Sequence, residues 1–303
     1  MLQLPNLIIP GAPKAGTSSL VEYLGQHSDI FVPRYKEPRF FISDEIRNLP
    51  ANDPLKSYLQ EMSILDKDKY FCIYKSHQYY KVRIDASVQY LYYHKQVIPR
   101  IRRMIDQPYI VICLRNPVDR AYSNYQYMKL TDSFQIEIEK ELEKLHNGWN
   151  SFTLFFAQGL YYNQVKSYMQ GFSKVKIVLF EDLANQTSCI LEEVLNFLDL
   201  DPTVLIDTDN VYNESGAPKN RFLEKMVFQK NLVKRVFRPI ATALLGKSGR
   251  ERLTLSIRSR SVSKKNAHRL QDDIRGHLIS CYRKDILQLQ DLIKRDLSMW
   301  LHL

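Results

Sequence analysis

The sequence predicts an α/β fold built around a parallel sheet. Three observations predict it. A short apolar run, Leu7–Ile9, passes through a glycine-bearing loop into a helical pattern. A longer β-favouring run, Tyr109–Leu114, ends at Arg115 and is followed at once by Asn116-Pro117, a sound start for a helix. A third run, Val175–Phe180, repeats the pattern. Continuous apolar runs that alternate with helices are what a parallel sheet buried on both faces requires. The 303 residues, 45% hydrophobic and 25% charged, suffice for one large domain or two smaller ones.

The first unit carries the densest chemistry. Gly11, Pro13 and Gly16 break the chain after the strand. Thr17, Ser18 and Ser19 then open a helix in which Leu20, Val21 and Leu24 recur at helical spacing. A helix N-terminus offers unpaired N–H groups and the positive end of a dipole, so it suits phosphate. Lys14 adds a full charge. A Walker A loop needs Gly-x4-Gly-Lys-Ser/Thr; here Thr17 follows Gly16 directly and the lysine sits inside the loop at position 14. A P-loop kinase or NTPase is therefore disfavoured, and no Asp-ended apolar strand supplies a second motif. The plainer alternative is a glycine-rich connection whose lysine points into water.

The next segments follow in order. Lys36-Glu37-Pro38 precedes Phe40-Phe41, a charged element on an aromatic anchor; on its own Glu37 reads as an ion-pair partner of Lys36 or Arg39 on a loop. Residues 42–69 read as a mainly helical excursion with no nameable chemistry. Tyr70–Tyr74 fits a strand or a helix edge, and Lys75-Ser76-His77 follows. On its own His77 reads as a surface histidine. Arg83–Leu91 carries Asp85 and Ser87, candidates for orienting Lys14 or an acceptor, or else a strand end that caps the next helix. After helix His94–Ile105 comes the Tyr109–Leu114 strand, with Arg115 at its C-terminal end, where ligands of open α/β sheets bind. Ser123 follows two helical turns into the next helix. Residues 131–150 read as a Glu-rich solvated helix. Leu191–Leu200 reads as a helix and Asp285–Leu301 as an amphipathic closing helix.

Charge is uneven. Residues 219–269 hold 15 Lys and Arg against two acids, a net charge of +13 where the whole chain carries +10. This basic amphipathic segment fits an anionic membrane surface, a groove for an acidic polysaccharide, or a solvated cap over the site. Aromatic residues are not interleaved with the charge, so nucleic acid is not an expected partner. Cys72, Cys113, Cys189 and Cys281 show no metal-ligand spacing and read as reduced thiols. No run is long and apolar enough to span a bilayer, and no secretory signal is visible. The expected location is cytoplasmic, with peripheral membrane attachment as the variant that the basic segment allows.

The loop Pro13-Lys14-Ala15-Gly16-Thr17-Ser18 resembles the 5′-phosphosulfate loop of the sulfotransferases that use 3′-phosphoadenosine 5′-phosphosulfate (PAPS), most nearly the bacterial and heparan-type carbohydrate enzymes. Lys36-Glu37-Pro38-x-Phe40-Phe41 resembles their acceptor-side segment, with Arg39 where His is frequent; the resemblance implies Glu37 as the base. Arg115 and Ser123, eight residues apart, match the pair that holds the 3′-phosphate. Asp85, Ala86, Ser87 and Val88 stand where the family has an acid, a variable lysine, a small hydroxyl and a proline. Gly159–Leu183 resembles the family's helix and the strand that ends in Glu-Asp-Leu, with Tyr161 near the nucleotide. The family's basic closing loop falls on Lys219 and Arg221. Lys-x-His at 75–77 resembles the cytosolic small-molecule sulfotransferases, whose base is a histidine. The resemblance implies a single domain over 1–303, a P-loop-like three-layer sandwich with a central parallel sheet. It implies PAPS as co-substrate on Lys14, Ala15, Gly16, Thr17, Ser18, Ser19, Arg115, Ser123, Lys219 and Arg221. It implies catalysis by Lys14 and Glu37 or His77, a carbohydrate or glycolipid acceptor, and no metal. A polyanion-binding protein and a small-molecule sulfotransferase stay open as alternatives.

Overall fold

The computed structural model describes residues 4–51, 53, 55–130, 156–209, 217–218, 262–263 and 270–303. Five parallel strands form the sheet: β1 (Leu7–Ile8), β2 (Ile30–Phe31), β3 (Val82–Asp85), β4 (Tyr109–Leu114) and β5 (Val175–Leu179), in the order β2-β3-β1-β4-β5. Leu7 pairs with Ile84 on one side and Tyr109 on the other, and Ile110 pairs with Val175. The apolar runs are buried as a two-faced sheet demands: Leu7, Ile8, Ile9 and all of Ile110–Leu114 are inaccessible to solvent.

β1 is central. The chain leaves it for β2 on one flank, returns through β3, and crosses to β4 on the other flank. Right-handed crossovers therefore place helix α1 (Thr17–Leu24) on one face and α5 (His94–Met104) on the other. The packing agrees. α1 packs against α9 (Thr187–Phe197); α5 packs against α7 (Tyr161–Gly171), which packs against α10 (Asp272–Ile293). The result is the three-layer α/β sandwich expected. The reversal of direction lies between β1 and β4, so a crevice opens beyond their C-terminal ends.

Residues 42–69 contain α2 (Ser43–Arg47) and α3 (Lys56–Met62). The Tyr70–Tyr74 stretch is helical, within α4 (Lys67–Lys75), because Tyr70 and Tyr74, one turn apart, both face the core. The segment at 180 is split: β5 stops at Leu179 and Phe180 opens α8 (Phe180–Asn185). The closing helix differs from expectation. It starts earlier, at Asp272, and stops at Ile293, where Lys294 turns left-handed (φ 54°); a 3-10 turn at Ser298–Leu301 then buries Trp300. Ala217–Pro218 pairs antiparallel with Val262–Ser263. Among the described residues no helix is long and apolar enough to cross a membrane. The four cysteines are free.

Candidate active site

The loop after β1 is fastened to β4 by backbone. Ala12 N–H donates to the Cys113 carbonyl (2.6 Å), and Cys113 N–H donates to that of Gly11 (2.8 Å). Gly11 sits at φ +154°, and a Cβ there would lie 2.7 Å from the Val88 carbonyl oxygen and 2.8 Å from Leu91 Cβ. Lys14 is a non-glycine residue in the left-handed region, φ 67°, a conformation that surroundings must enforce. Gly16, at φ 82°, is the N-cap of α1. That N-terminus has no side-chain cap and no acid in its first turn. A helix N-terminus of this kind suits an anion.

A cavity of about 610 Å³ stands over this helix end. Pro13, Lys14, Gly16, Thr17, Ser18 and Ser19 form its floor. Ala15 is buried beneath, where its N–H closes the loop on the Ala12 carbonyl (3.3 Å). Arg115, at the end of β4, enters from the side. Its Nη1 donates to the Lys14 carbonyl (3.2 Å), and its guanidinium lies 4.5 Å from the centre of the Phe180 ring. The Lys14 ammonium lies 4.7 Å from the centre of the Tyr127 ring. α6 (Pro117–Leu130) offers Asn124 and Tyr127 to the cavity, while Ser123 is buried on that helix and lines none of it.

The electrostatics are those of an anion site. Burial pushes the Lys14 amine down to about 8, helped by Arg115 and then Lys36 and opposed by Glu37. Burial likewise lowers Lys36, whose Nζ donates to Ser18 Oγ. Arg115 is lowered by burial and raised by Asp119 and Glu181. Three cations share one buried region and disfavour one another there. A polyanion relieves that cost by charge-assisted hydrogen bonds.

Glu37 lines the cavity and stands beside Arg39, with Oε2 and Nη2 2.6 Å apart. Arg39 is itself fixed. Its N–H donates to Ser87 Oγ (2.9 Å), its Nε to Gln89 Oε1 (3.2 Å), and its backbone is left-handed, φ 53°. Ser87 Oγ donates to Asp85 Oδ1 (2.7 Å), and Asp85 Oδ2 accepts from Tyr70 (2.8 Å) and Tyr90 (3.1 Å). Asp85 is wholly buried; burial pushes its carboxyl up to about 6 against those three hydrogen bonds. Asp85 and Ser87 thus anchor the Arg39 turn. Neither has Lys14 among its hydrogen-bond partners.

The structure does not bring His77 to the cavity. It precedes β3 and so belongs to the opposite, N-terminal end of the sheet, stacked on Phe31 with ring centres 3.7 Å apart. Its Nδ1 lies 3.0 Å from the Ile73 carbonyl. Tyr161 stands behind Arg115: it is buried and donates to the Arg115 carbonyl (3.0 Å). Lys219 and Arg221, the basic 219–269 segment apart from Val262–Ser263, and the 131–150 segment lie outside the described residues. Sequence reasoning missed Lys36 as a site cation, although it adjoins Glu37. It also missed Phe180, whose position at the end of a parallel strand was a usable signal. Gln158, Leu55 and Tyr58 line the cavity without any signature in the sequence.

A parallel sheet with a glycine-bearing loop and clustered cations at its switch point makes a site suited to an anionic ligand. The pattern of the family described as Sulfotransferase domain matches residues 4–231, and the chain belongs to that family. It is 24% identical over 217 residues to the bifunctional heparan sulfate N-deacetylase/N-sulfotransferase 1 of Xenopus tropicalis, covering 65% of this chain and 22% of that protein. It is 22% identical over 248 residues to human carbohydrate sulfotransferase 15, covering 66% and 44%. The chain thus spans less than half the length of these curated relatives. Among solved structures, a sulfotransferase from Alicyclobacillus acidocaldarius superposes with a TM-score of 0.73 at 26% identity, covering 99% of this chain and 100% of that one. The sulfotransferase domain of the Synechococcus PCC 7002 olefin synthase shares the fold, with a TM-score of 0.51 at 15% identity over 97% of each chain.

Proposed function

We propose that this protein transfers the sulfuryl group of PAPS to a hydroxyl or amine of a carbohydrate or glycolipid acceptor. The observation that carries the reading is the meeting of Lys14 and Arg115 over an uncapped helix N-terminus, in a cavity that Glu37 also lines, with Lys36 bonded to Ser18 beside it. PAPS is a polyanion, and the residues present fit it. The floor of the cavity carries the hydroxyls of Thr17, Ser18 and Ser19 at a helix N-terminus, and Gly16 leaves room there beside Phe180, 2.9 Å from where a Cβ would stand.

In this reading Gly16–Ser19 bind the 5′-phosphosulfate and Arg115 binds the 3′-phosphate, to which a guanidinium gives two parallel hydrogen bonds. Glu37 takes the acceptor's proton as the acceptor oxygen or nitrogen bonds to sulfur. The sulfur–oxygen bond to the 5′-phosphate breaks, and its electron pair leaves on the phosphate oxygen. Lys14 and Lys36 meet the charge that grows there. The products are the sulfated acceptor and 3′-phosphoadenosine 5′-phosphate.

The test follows labelled sulfate from PAPS into a sugar acceptor panel. Wild type is expected to transfer label. Glu37→Gln is expected to lose activity about 100-fold or more while still binding 3′-phosphoadenosine 5′-phosphate. Full activity in Glu37→Gln would remove the base assignment. Failure of wild type to bind the nucleotide would remove the donor.

A further inference from the structure

Close to Arg115 the cavity is bounded by the 3-10 turn Ala157–Gly159, from which Gln158 lines it. The turn is packed in place. A Cβ on Gly159 would lie 3.0 Å from Pro117, at the start of α6, and 3.0 Å from the Tyr282 hydroxyl. That hydroxyl donates to the carbonyl of Phe156, just before the turn (2.9 Å). Tyr161, just after it, donates to the Arg115 carbonyl (3.0 Å). The turn and Arg115 are thus held as one corner of the cavity.

Behind Gln158 stands a charge that the mechanism does not use. Arg120, one turn into α6, is inaccessible to solvent. Its Nη1 donates to Gln158 Oε1 (3.5 Å), while its Nε and Nη2 have no hydrogen-bond partner among the described residues. A guanidinium cannot shed its proton, so burying it in this state costs free energy. Its field reaches the cavity corner: it disfavours the charge of Arg115 and favours ionisation of the Tyr161 and Tyr282 phenols. An anion bound in that corner would offset both effects. Gln158 is the side chain between the two. It is 4% exposed, and it lines the cavity. A carboxamide beside a cation turns its oxygen to it, so Oε1 is committed to Arg120 and Nε2 is the end able to donate to a ligand.

We propose, resting on the sulfotransferase reading above, that Gln158 is a further nucleotide-binding residue whose amide N–H meets the same end of the nucleotide as Arg115. Arg120 is its positioning residue: it turns the amide toward the cavity and places a second positive charge behind it, without touching the ligand.

Calorimetry measures binding of 3′-phosphoadenosine 5′-phosphate and of adenosine 5′-diphosphate to wild type, Gln158→Leu, Arg120→Met, Arg120→Lys and the double variant Gln158→Leu/Arg120→Met, with circular dichroism checking the fold of each. Gln158→Leu should bind the 3′-phosphorylated nucleotide about tenfold more weakly and the diphosphate less than about threefold more weakly, as loss of a hydrogen bond to a charged group implies. Arg120→Met should do the same, and Arg120→Lys should restore most of the preference. The double variant should lose little more than either single one, because the two residues act as a unit. An unchanged preference in Gln158→Leu or Arg120→Met, equal losses for both nucleotides, or losses that add in the double variant would overturn the proposal. If Arg120→Met does not fold, Gln158→Leu decides by itself. A wild type that binds the 3′-phosphorylated nucleotide no better than the diphosphate would instead overturn the sulfotransferase reading on which the proposal rests.

Discussion

Lys14 supplies a prediction with a magnitude. Its amine is pushed down to about 8, chiefly by burial and next by Arg115. The charged form is the one that binds a phosphate, so affinity for 3′-phosphoadenosine 5′-phosphate should fall as pH rises past 8. The sign is unaffected by the ligand, whose phosphates have a second pKa of about 6 and so only gain negative charge as pH rises past 7. At pH 7 about nine-tenths of Lys14 is charged and at pH 9 about one-tenth, so the dissociation constant should rise about tenfold, roughly 1.4 kcal/mol. Lys14→Met should bind about 10- to 100-fold more weakly at pH 7, as loss of a charge-assisted bond implies, and should lose that pH limb. Arg115→Ala removes the second cause of the depression, so the limb should move to higher pH. Titration calorimetry between pH 6.5 and 9.5 reads all three. A wild-type constant that stays flat from pH 7 to 9, or an identical slope in Lys14→Met, would refute the reasoning.

Other outcomes follow from the same geometry. Arg39→Met frees the Glu37 carboxylate from its partner 2.6 Å away; kcat should drop tenfold or more with nucleotide affinity kept, and Arg39→Lys should lose less. Equal losses in kcat and nucleotide affinity would point to a collapsed site instead. Asp85, raised from 3.8 to about 6 by burial, favours the protonated folded state, so its stabilisation is full below pH 3.8 and is lost as pH rises through 6. Relative to Asp85→Asn, the wild type should lose about 3 kcal/mol across that window in denaturant titrations; parallel profiles would contradict this. Gly16→Ala puts a Cβ 2.9 Å from Phe180 Cδ2 at φ 82°. Thermal melting should show a loss of about 1–3 kcal/mol, with weaker nucleotide binding, and an unchanged melting temperature would count against the strained cap.

The loop side of the cavity was legible in the sequence because its signals are local. Leu7 to Ser19 encode strand, loop and helix start within one stretch, and Arg115 sits at the end of an unmistakable apolar run. On the other side the sequence singled out Asp85, Ser87 and Glu37 but not the contacts that join them, least of all those around Glu37. The turn that holds it depends on Ser87 and Asp85, about 50 residues away, and on two tyrosines whose hydroxyls meet only in the fold. Asp85 lies within a strand, where a charge is a poor strand signal, and only the tertiary network explains it. His77 misled because a residue type at a plausible spacing says nothing about which end of a parallel sheet it occupies. Tyr58 carries no motif, since a cavity wall needs only shape and an apolar face. The closing helix was misjudged at both ends, where boundary signals are weakest.

The central claim is that Arg115 and the loop after β1 read a 3′-phosphorylated adenosine donor. Calorimetry of 3′-phosphoadenosine 5′-phosphate beside adenosine 5′-diphosphate, on wild type and Arg115→Ala, tests it most directly. The account predicts that wild type prefers the 3′-phosphorylated nucleotide at least tenfold and that Arg115→Ala loses this preference, binding both alike. Equal affinity of the wild type for the two nucleotides, or a preference that survives in Arg115→Ala, would contradict it.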